Sequence, residues 1–203
     1  GYIRDTKNML TTSLTLPDTY GASTPKENCA DLRTKGWELS ISWKDSFQLL
    51  GSPFAYNASA TIGDYVTHIT RYHNPDGLIS NHYVGKKLGD IWGYHVEGLF
   101  KTDREAAEYM AAVDDSAVNS RVYQCTGPAG NILRAGDVKF ADLDGDGVIS
   151  EGSGTLKDHG DKIIIGNSRP RYNYSFRLGF NWKGFDVSTF FQGVGHRDWY
   201  PVA

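Results

Sequence analysis

Three aspartates alternate with other residues in the stretch DLDGDGVIS, which runs from Asp142 to Ser150. Asp142, Asp144 and Asp146 place three carboxylates within five residues, and like charges this close repel each other unless a cation lies among them. Ca²⁺ prefers carboxylate and carbonyl oxygens, and this spacing directs alternate side chains at one centre. The pattern therefore predicts a calcium-type loop over residues 142–153.

The first half of this loop follows the calcium-loop pattern closely. The aspartates occupy positions 1, 3 and 5, and Gly147 occupies position 6, where the backbone turns sharply. Val148 at position 7 is the predicted backbone ligand through its carbonyl, and Ile149 is the expected apolar anchor.

The second half departs from the pattern, because position 12 is Ser153 and not glutamate. A later carboxylate must then complete the shell, and Glu151, Asp158 and Asp161 are the candidates. Asp161 is favoured because it directly precedes the strand-like sequence KIIIG and would tie the loop to it. No amphipathic helices flank the loop, so a structural Ca²⁺ is favoured over a signalling site. A metal-free Asp/Gly turn is the alternative.

No other group of residues predicts catalysis. The sequence contains no HExxH, GxSxG or P-loop motif. His196 lies near Asp198, but a loop histidine beside an acid is usually solvated. We therefore expect no catalytic residue and no enzymatic activity.

Composition favours a β-rich chain. Aromatic residues make up 13% of the 203 residues, and glycine occurs 23 times. The net charge of −3 gives no basic footprint for nucleic acid. No apolar run approaches the roughly 18 residues of a membrane helix. Cys29 and Cys125 match no metal or redox spacing, and the sequence leaves open whether they pair.

Three segments alternate apolar and polar residues strictly enough to predict β-strands: WELSISWK at 37–44, FAYNASATIGDY from Phe54, and RYNYSFRLGFNW at 171–182. The last segment spans roughly 40 Å at about 3.3 Å per residue, which suits a strand that crosses a bilayer. Lys183–Gly184 predicts a tight hairpin turn into a returning strand. A further short helix is predicted by TDREAAEYMAAV, with Thr102 and Glu105 at capping-box spacing.

Two features favour a transmembrane barrel over a soluble antiparallel sandwich, which shows the same alternation. Aromatic side chains occur near both ends of the apolar faces, as in the aromatic girdles of outer-membrane barrels. The connections at 45–53 and 183–184 are short and those at about 5–35 and 66–170 are long, and this alternation places both long connections on one side.

Several stretches together resemble the SusC/RagA-type TonB-dependent outer-membrane transporters. They occur in the family's order: NCADLRTKGWELSISW, GKKLGDIWGYHVEGLFKTDREA, VKFADLDGDGVIS, GDKIIIGNSRPRYNYSFRLGF and WKGFDVSTFFQGVGHRDWY. The resemblance covers nearly the whole chain, and it implies that residues 1–203 are part of a single C-terminal β-barrel domain. The barrel lies in the bacterial outer membrane, and residues 66–170 then form a long extracellular loop region.

The resemblance also implies a function. Proteins of this family form large plugged barrels of about 22 strands. They pair with a SusD-like surface lipoprotein, take energy from the TonB complex, and import large nutrients, most often glycan oligosaccharides and in some members peptides. It implies an extracellular calcium-type loop at Asp142, Asp144 and Asp146. The alternative from another class is a secreted, calcium-stabilised β-sandwich that binds carbohydrate.

Loop aromatics are the remaining candidate contacts for a ligand. Trp92, Tyr94 and Trp199 lie outside the predicted strands and are plausible ligand-binding residues. Packing within the protein is the alternative for each of them.

Overall fold

The computed structural model describes residues 1–12, 21, 25–118 and 133–199. Within them the chain is built mainly of β-strands, which confirms the predicted all-β, antiparallel class. The elements are β1 (Tyr2–Thr11), β2 (Glu27–Leu49), β3 (Ser52–Arg71), β4 (Asp90–Tyr94), β5 (Val96–Leu99), α1 (Asp103–Ala112), β6 (Val138–Phe140), β7 (Lys162–Asn167), β8 (Arg171–Trp182) and β9 (Phe185–His196). No described helix is both long enough and apolar enough to cross a membrane.

The chain forms two compact units. The first, here called the sheet unit, contains Gly1–His73, Val84–Gly89 and the residues from Asn167 onward. The second, the loop unit, contains Asn74–Tyr83 and Asp90–Gly166. The region predicted as one loop, 66–170, thus includes the end of β3, a segment of the sheet unit and the whole loop unit.

The sheet unit is one five-stranded sheet in the order β1-β2-β3-β8-β9, with every neighbouring pair antiparallel. β2 and β3 are 23 and 20 residues long, far beyond the five or six of a typical strand. β8 covers 171–182, the range predicted from its alternation.

Two predicted connections are wrong in extent. The stretch 45–53 is not a turn: β2 continues to Leu49, and a two-residue turn at Leu50–Gly51 joins it to β3. Both turn residues have positive φ (50° and 74°), which matches the twist that two-residue hairpins need. The region 5–35 is largely strand, because β1 pairs with β2 from Tyr2 to Thr11.

The two hairpin turns lie at the same end of the strands. β3 and β8 pair with Phe54 opposite Trp182, so Leu50–Gly51 and Lys183–Gly184 are neighbours in register. The predicted placement of both short turns on one side is therefore confirmed within the sheet.

The two faces of the sheet differ in chemistry. One face, here called the apolar band, is continuous across four strands because the register aligns their apolar positions, for example Leu39 with Ile62 and Ala58 with Leu178. Ile41, Trp43 and Leu178 are 61%, 62% and 50% exposed. The members of the band are Trp37, Leu39, Ile41, Trp43 and Phe47 (β2), Phe54, Tyr56, Ala58, Ala60 and Ile62 (β3), Tyr174, Phe176, Leu178, Phe180 and Trp182 (β8), and Phe185, Val187 and Phe191 (β9).

The opposite face, here called the polar face, carries mainly hydroxyl, amide and charged groups. The Thr61 and Ser175 hydroxyls form a hydrogen bond of 2.7 Å across β3 and β8. Phe190 is an exception to the polar character, and the Arg177 guanidinium lies 5.6 Å from its ring centre.

The loop unit has a small core of its own. Phe100, Ala106 and Leu133 are buried together, and Tyr109 and Met110 of α1 pack against them. Two two-stranded sheets, β4-β7 and β5-β6, belong to this region. The predicted helix is confirmed, since the Thr102 hydroxyl accepts the Glu105 amide at 3.1 Å.

Candidate metal centre and ligand surfaces

The acidic loop brings its three aspartates together. Asp142, Asp144 and Asp146 each offer a carboxylate oxygen, and these oxygens lie within 4.8 Å of one another. The loop supplies only oxygen donors at this point, which is the donor set that a hard cation such as Ca²⁺ requires. The residues present therefore fit a calcium ion.

The backbone of the loop already curves around the first carboxylate. Asp142 accepts the Gly145 amide at 2.7 Å through Oδ1 and the Gly147 amide at 2.9 Å through Oδ2. Both glycines have positive φ, 77° and 82°, a conformation that strains other residues. The glycine spacing in the sequence is thus needed for the fold of the loop.

The end of the loop is anchored by a buried residue and a short backbone pairing. Ile149 is fully buried, as expected for the apolar anchor, and its amide donates to the Asp114 carbonyl at 2.8 Å. The Asp114 amide in turn donates to the Gly147 carbonyl at 2.8 Å. Sequence reasoning missed Asp114, because backbone pairing across more than 30 residues leaves no side-chain pattern.

Asp161 lies against the loop, and it is fully buried. Its two carboxylate oxygens accept the amides of Leu143, at 2.6 Å, and Ser150, at 2.8 Å. These amides belong to the beginning and end of the acidic stretch, so Asp161 holds its two ends together. Asp161 is not among the three carboxylates that lie within 4.8 Å of one another.

The other two candidate closing residues have different partners. Glu151 forms an ion pair with Lys162. Asp158 accepts the Ser153 amide at 3.0 Å, and hydrogen bonding from Ser153 holds the pKa of Asp158 below its usual value. Of the three candidates, Asp161 alone bonds to the acidic stretch on both sides.

The electrostatics of the loop are those of crowded negative charge. The Asp146 amide lowers the pKa of the Asp144 carboxyl, but some loss of hydration and the nearby carboxylates of Asp146, Asp161 and Asp142 outweigh it. The pKa of Asp144 is therefore raised. Repulsion of this kind is relieved by a cation.

The three aromatic candidates have different surroundings. The Trp92 Nε1 donates to the Tyr83 hydroxyl at 3.2 Å, and its ring centre lies 5.5 Å from that of His159. Tyr94, on the same strand β4, packs edge-on against Phe140, and burial raises the pKa of its phenol. Trp199, in the sheet unit, is 79% exposed.

Of the two cysteines, only Cys29 lies among the described residues. The Cys29 thiol lies 3.5 Å from the Thr11 carbonyl oxygen. Cys125 lies outside the described residues.

Curated relatives match this chain along most of its length. TonB-dependent receptor P39 of Formosa agariphila is 25% identical over 209 aligned positions, which cover 94% of this chain and 19% of the relative. TonB-dependent receptor P3 of the same organism is 24% identical over 190 positions, covering 87% and 16%. No protein-family model matches the chain.

Solved structures match the fold. The RagAB peptide transporter superposes with a TM-score of 0.55 at 18% identity, covering 94% of this chain and 18% of that chain. The chain is similar to a segment of a SusC/RagA-type TonB-dependent transporter. A second structure, the RagAB peptide importer in its closed-closed state, gives a TM-score of 0.56 at 17% identity, with 95% of this chain covered. The chain spans less than a fifth of the length of these relatives and structures.

Proposed function

We propose that this chain is a segment of an outer-membrane barrel that carries out TonB-dependent import of large nutrients. The observation that carries the proposal is the apolar band on one face of a sheet whose other face is polar. A soluble protein would bury such a band, because large exposed apolar patches drive association in water. A membrane barrel turns the band to lipid and the polar face to its lumen.

The dimensions of the band support this assignment. Trp37 and Phe47 are ten residues apart on β2, which is roughly 33 Å along the strand at about 3.3 Å per residue. A strand tilted by about 40° projects this length onto about 25 Å of membrane normal, the height of the lipid-facing band in outer-membrane barrels. Aromatic residues occur at both ends. Trp37 and Tyr174 lie towards one end, with Tyr174 in the row of Leu39, and Phe47, Phe54 and Trp182 share one row at the other end.

The two hairpin turns give the orientation that we propose for the barrel in the membrane. Outer-membrane barrels have short periplasmic turns and long extracellular loops. Leu50–Gly51 and Lys183–Gly184 would then face the periplasm, and the loop unit would be extracellular.

Substrate and partners belong to the complete protein. We propose glycan oligosaccharides as the main imported class. Peptides are the alternative, because the RagAB structures are those of a peptide transporter. The proposed partners are a SusD-like surface lipoprotein and the TonB complex, and the proposed import makes or breaks no covalent bond in the nutrient.

The acidic loop has a structural role in this proposal. Asp142, Asp144 and Asp146, with the Val148 carbonyl, would bind one Ca²⁺, and Asp161 would complete the site. Each Asp161 oxygen has a second lone pair beyond its amide bond, so clamping and metal binding are compatible. When bound, the ion would neutralise the crowded carboxylates and keep the extracellular loop compact.

Gene deletion tests the import function. The bacterium that makes the full-length protein is compared with a deletion strain for uptake of fluorescent oligosaccharides and of fluorescent peptides, with a monosaccharide as control. We expect the deletion to abolish uptake of an oligosaccharide and leave the monosaccharide unaffected. We expect an uncoupler of the inner-membrane proton gradient to have the same effect. Normal uptake of all nutrients in the deletion strain would contradict the import function, and loss of peptide uptake alone would replace the substrate class.

Calorimetric titration tests the metal site. Ca²⁺ is added to the chelator-treated full-length protein, and to the Asp144→Asn variant with Asp158→Asn as the matched control. We expect binding in the natural protein and the control, and weakened binding in Asp144→Asn. Absence of binding at millimolar Ca²⁺ would leave the loop as a metal-free turn.

A further inference from the structure

The polar face of the sheet unit carries a cavity of about 250 Å³ at the end of the strands opposite the hairpin turns. Its floor includes Thr34 and Tyr65 of β2 and β3, and its walls come from the segments 84–89 and 167–171. All of the lining residues belong to the sheet unit. The cavity is therefore a feature of one compact body.

The lining is strongly cationic. Four of its thirteen residues are positively charged, namely Arg4, Lys87, Arg169 and Arg171, and none is acidic. Asp64 offsets one of these charges, because its Oδ1 accepts the Arg171 Nε at 2.6 Å. Arg4 and Arg169 also line this space, which is smaller than most ligand sites. Cations gathered in this way focus a positive potential that favours an anion.

The wall segments that carry Lys87 and Arg169 are held by hydrogen bonds, and Arg4 lies on β1, where it pairs with Thr34 of β2. The Leu88 amide donates to the Thr67 carbonyl at 2.9 Å, and the Asn167 side chain donates to the Leu88 carbonyl at 3.1 Å. The Arg169 amide donates to the Asn167 side-chain oxygen at 2.8 Å. These bonds hold the backbone from which the cationic side chains extend, and a fixed backbone lowers the entropic cost of binding a ligand.

Size and lining chemistry limit the ligand. A volume of about 250 Å³ is below the roughly 300–1,000 Å³ of sites for drug-sized ligands, so the cavity has room for about one unit of a longer chain. Thr6 and the Tyr65 ring stand beside the cations, and these groups suit a hydroxylated ring that carries an acid. β2 and β3 pair on both sides, so the floor offers no free strand edge for a peptide backbone.

Resting on the import function proposed above, we propose that this cavity binds the carboxylate or sulfate group of an acidic oligosaccharide at the extracellular mouth of the lumen. Arg4 and Arg169 are the principal anion ligands. The protein then selects acidic over neutral oligosaccharides, and the selectivity depends on ionic strength.

Calorimetric binding to the full-length protein in detergent tests this inference. The probes are tetragalacturonate, its neutral methyl ester, a sulfated heparin tetrasaccharide and a tetraglutamate peptide. We expect at least one acidic oligosaccharide to bind about tenfold or more tightly than the methyl ester, and to weaken as salt is added. We expect Arg4→Gln and Arg169→Gln each to reduce that affinity about tenfold, because each removes a charge-assisted bond. Lys183→Gln, at the opposite end of the strands, is the matched control and should bind as the natural protein does.

Three results would overturn the inference: equal binding of acidic and neutral oligosaccharides, binding that the arginine variants leave unchanged, or arginine-dependent binding of the peptide alone. The deletion strain separates this failure from failure of the import function. Loss of oligosaccharide uptake on deletion, together with charge-independent binding, leaves the import function standing and removes the anion site. Normal uptake on deletion removes the import function whatever the cavity binds.

Discussion

Asp161 gives the sharpest prediction, because one buried side chain bonds to both ends of the acidic stretch. We consider Asp161→Asn, which keeps the size of the side chain but removes its charge and one acceptor oxygen. One amide, of Leu143 or Ser150, then loses its acceptor, and the other keeps a neutral bond in place of a charge-assisted one.

The size of the effect follows from these two bonds. A hydrogen bond to a charged group contributes about 1.5–3 kcal/mol, against about 1 kcal/mol for a neutral bond. Losing one charged bond and weakening the other costs about 2–5 kcal/mol of local stability. Since about 1.4 kcal/mol corresponds to a factor of ten, the Leu143 and Ser150 amides should exchange at least roughly 30-fold faster, and up to roughly a few thousandfold faster.

Hydrogen exchange measured by mass spectrometry on the full-length protein is the assay. Peptides that cover residues 141–151 report the two amides in the natural protein and in the variant. Asp158→Asn is the matched control, because Asp158 is exposed and bonds to Ser153 instead. Unchanged protection in the 141–151 peptides of Asp161→Asn would refute the clamping role, and equal effects from both variants would show that the change is not specific to Asp161.

Two further predictions test the sheet and the helix. Ile41→Lys, in the apolar band, should destabilise the folded barrel in lipid by about 2–4 kcal/mol, whereas Ser42→Lys on the polar face should cost little. Denaturant titration of the lipid-reconstituted full-length protein measures both free energies of unfolding. Equal costs for the two substitutions would contradict the assignment of faces. Thr102→Ala removes the cap of α1 and should lower the stability of the helix by about 1 kcal/mol, which speeds hydrogen exchange of the Glu105 amide about fivefold. Unchanged exchange of this amide would mean that the cap does not stabilise the helix.

Local patterns in the sequence predicted some elements closely. β8 is defined by twelve strictly alternating residues, and its bounds agree with the prediction because a single register fits that pattern. The cap at Thr102 and the buried anchor at Ile149 were also predicted, since each follows from a short motif. The extent of β2 was underestimated, because Asp45 interrupts its apolar face.

The rest depends on residues that are distant in sequence. Arg4, Lys87 and Arg169 meet at one cavity only because β1, the 84–89 segment and the approach to β8 lie together in the sheet unit. The pairing of Asp114 with the acidic loop likewise comes from tertiary structure. No spacing rule within the sequence links such positions.

The solvent exposure of consecutive positions along β8, in the full-length protein in membranes, shows most directly whether the apolar band faces lipid. Single spin labels at positions 173–178 are probed with oxygen, which partitions into lipid, and with a water-soluble nickel reagent. A lipid-facing band predicts a period of two: Tyr174, Phe176 and Leu178 accessible to oxygen, and Asn173, Ser175 and Arg177 accessible to nickel. Equal nickel accessibility at all six positions, or protection of the apolar positions from both reagents, would contradict a lipid-facing sheet.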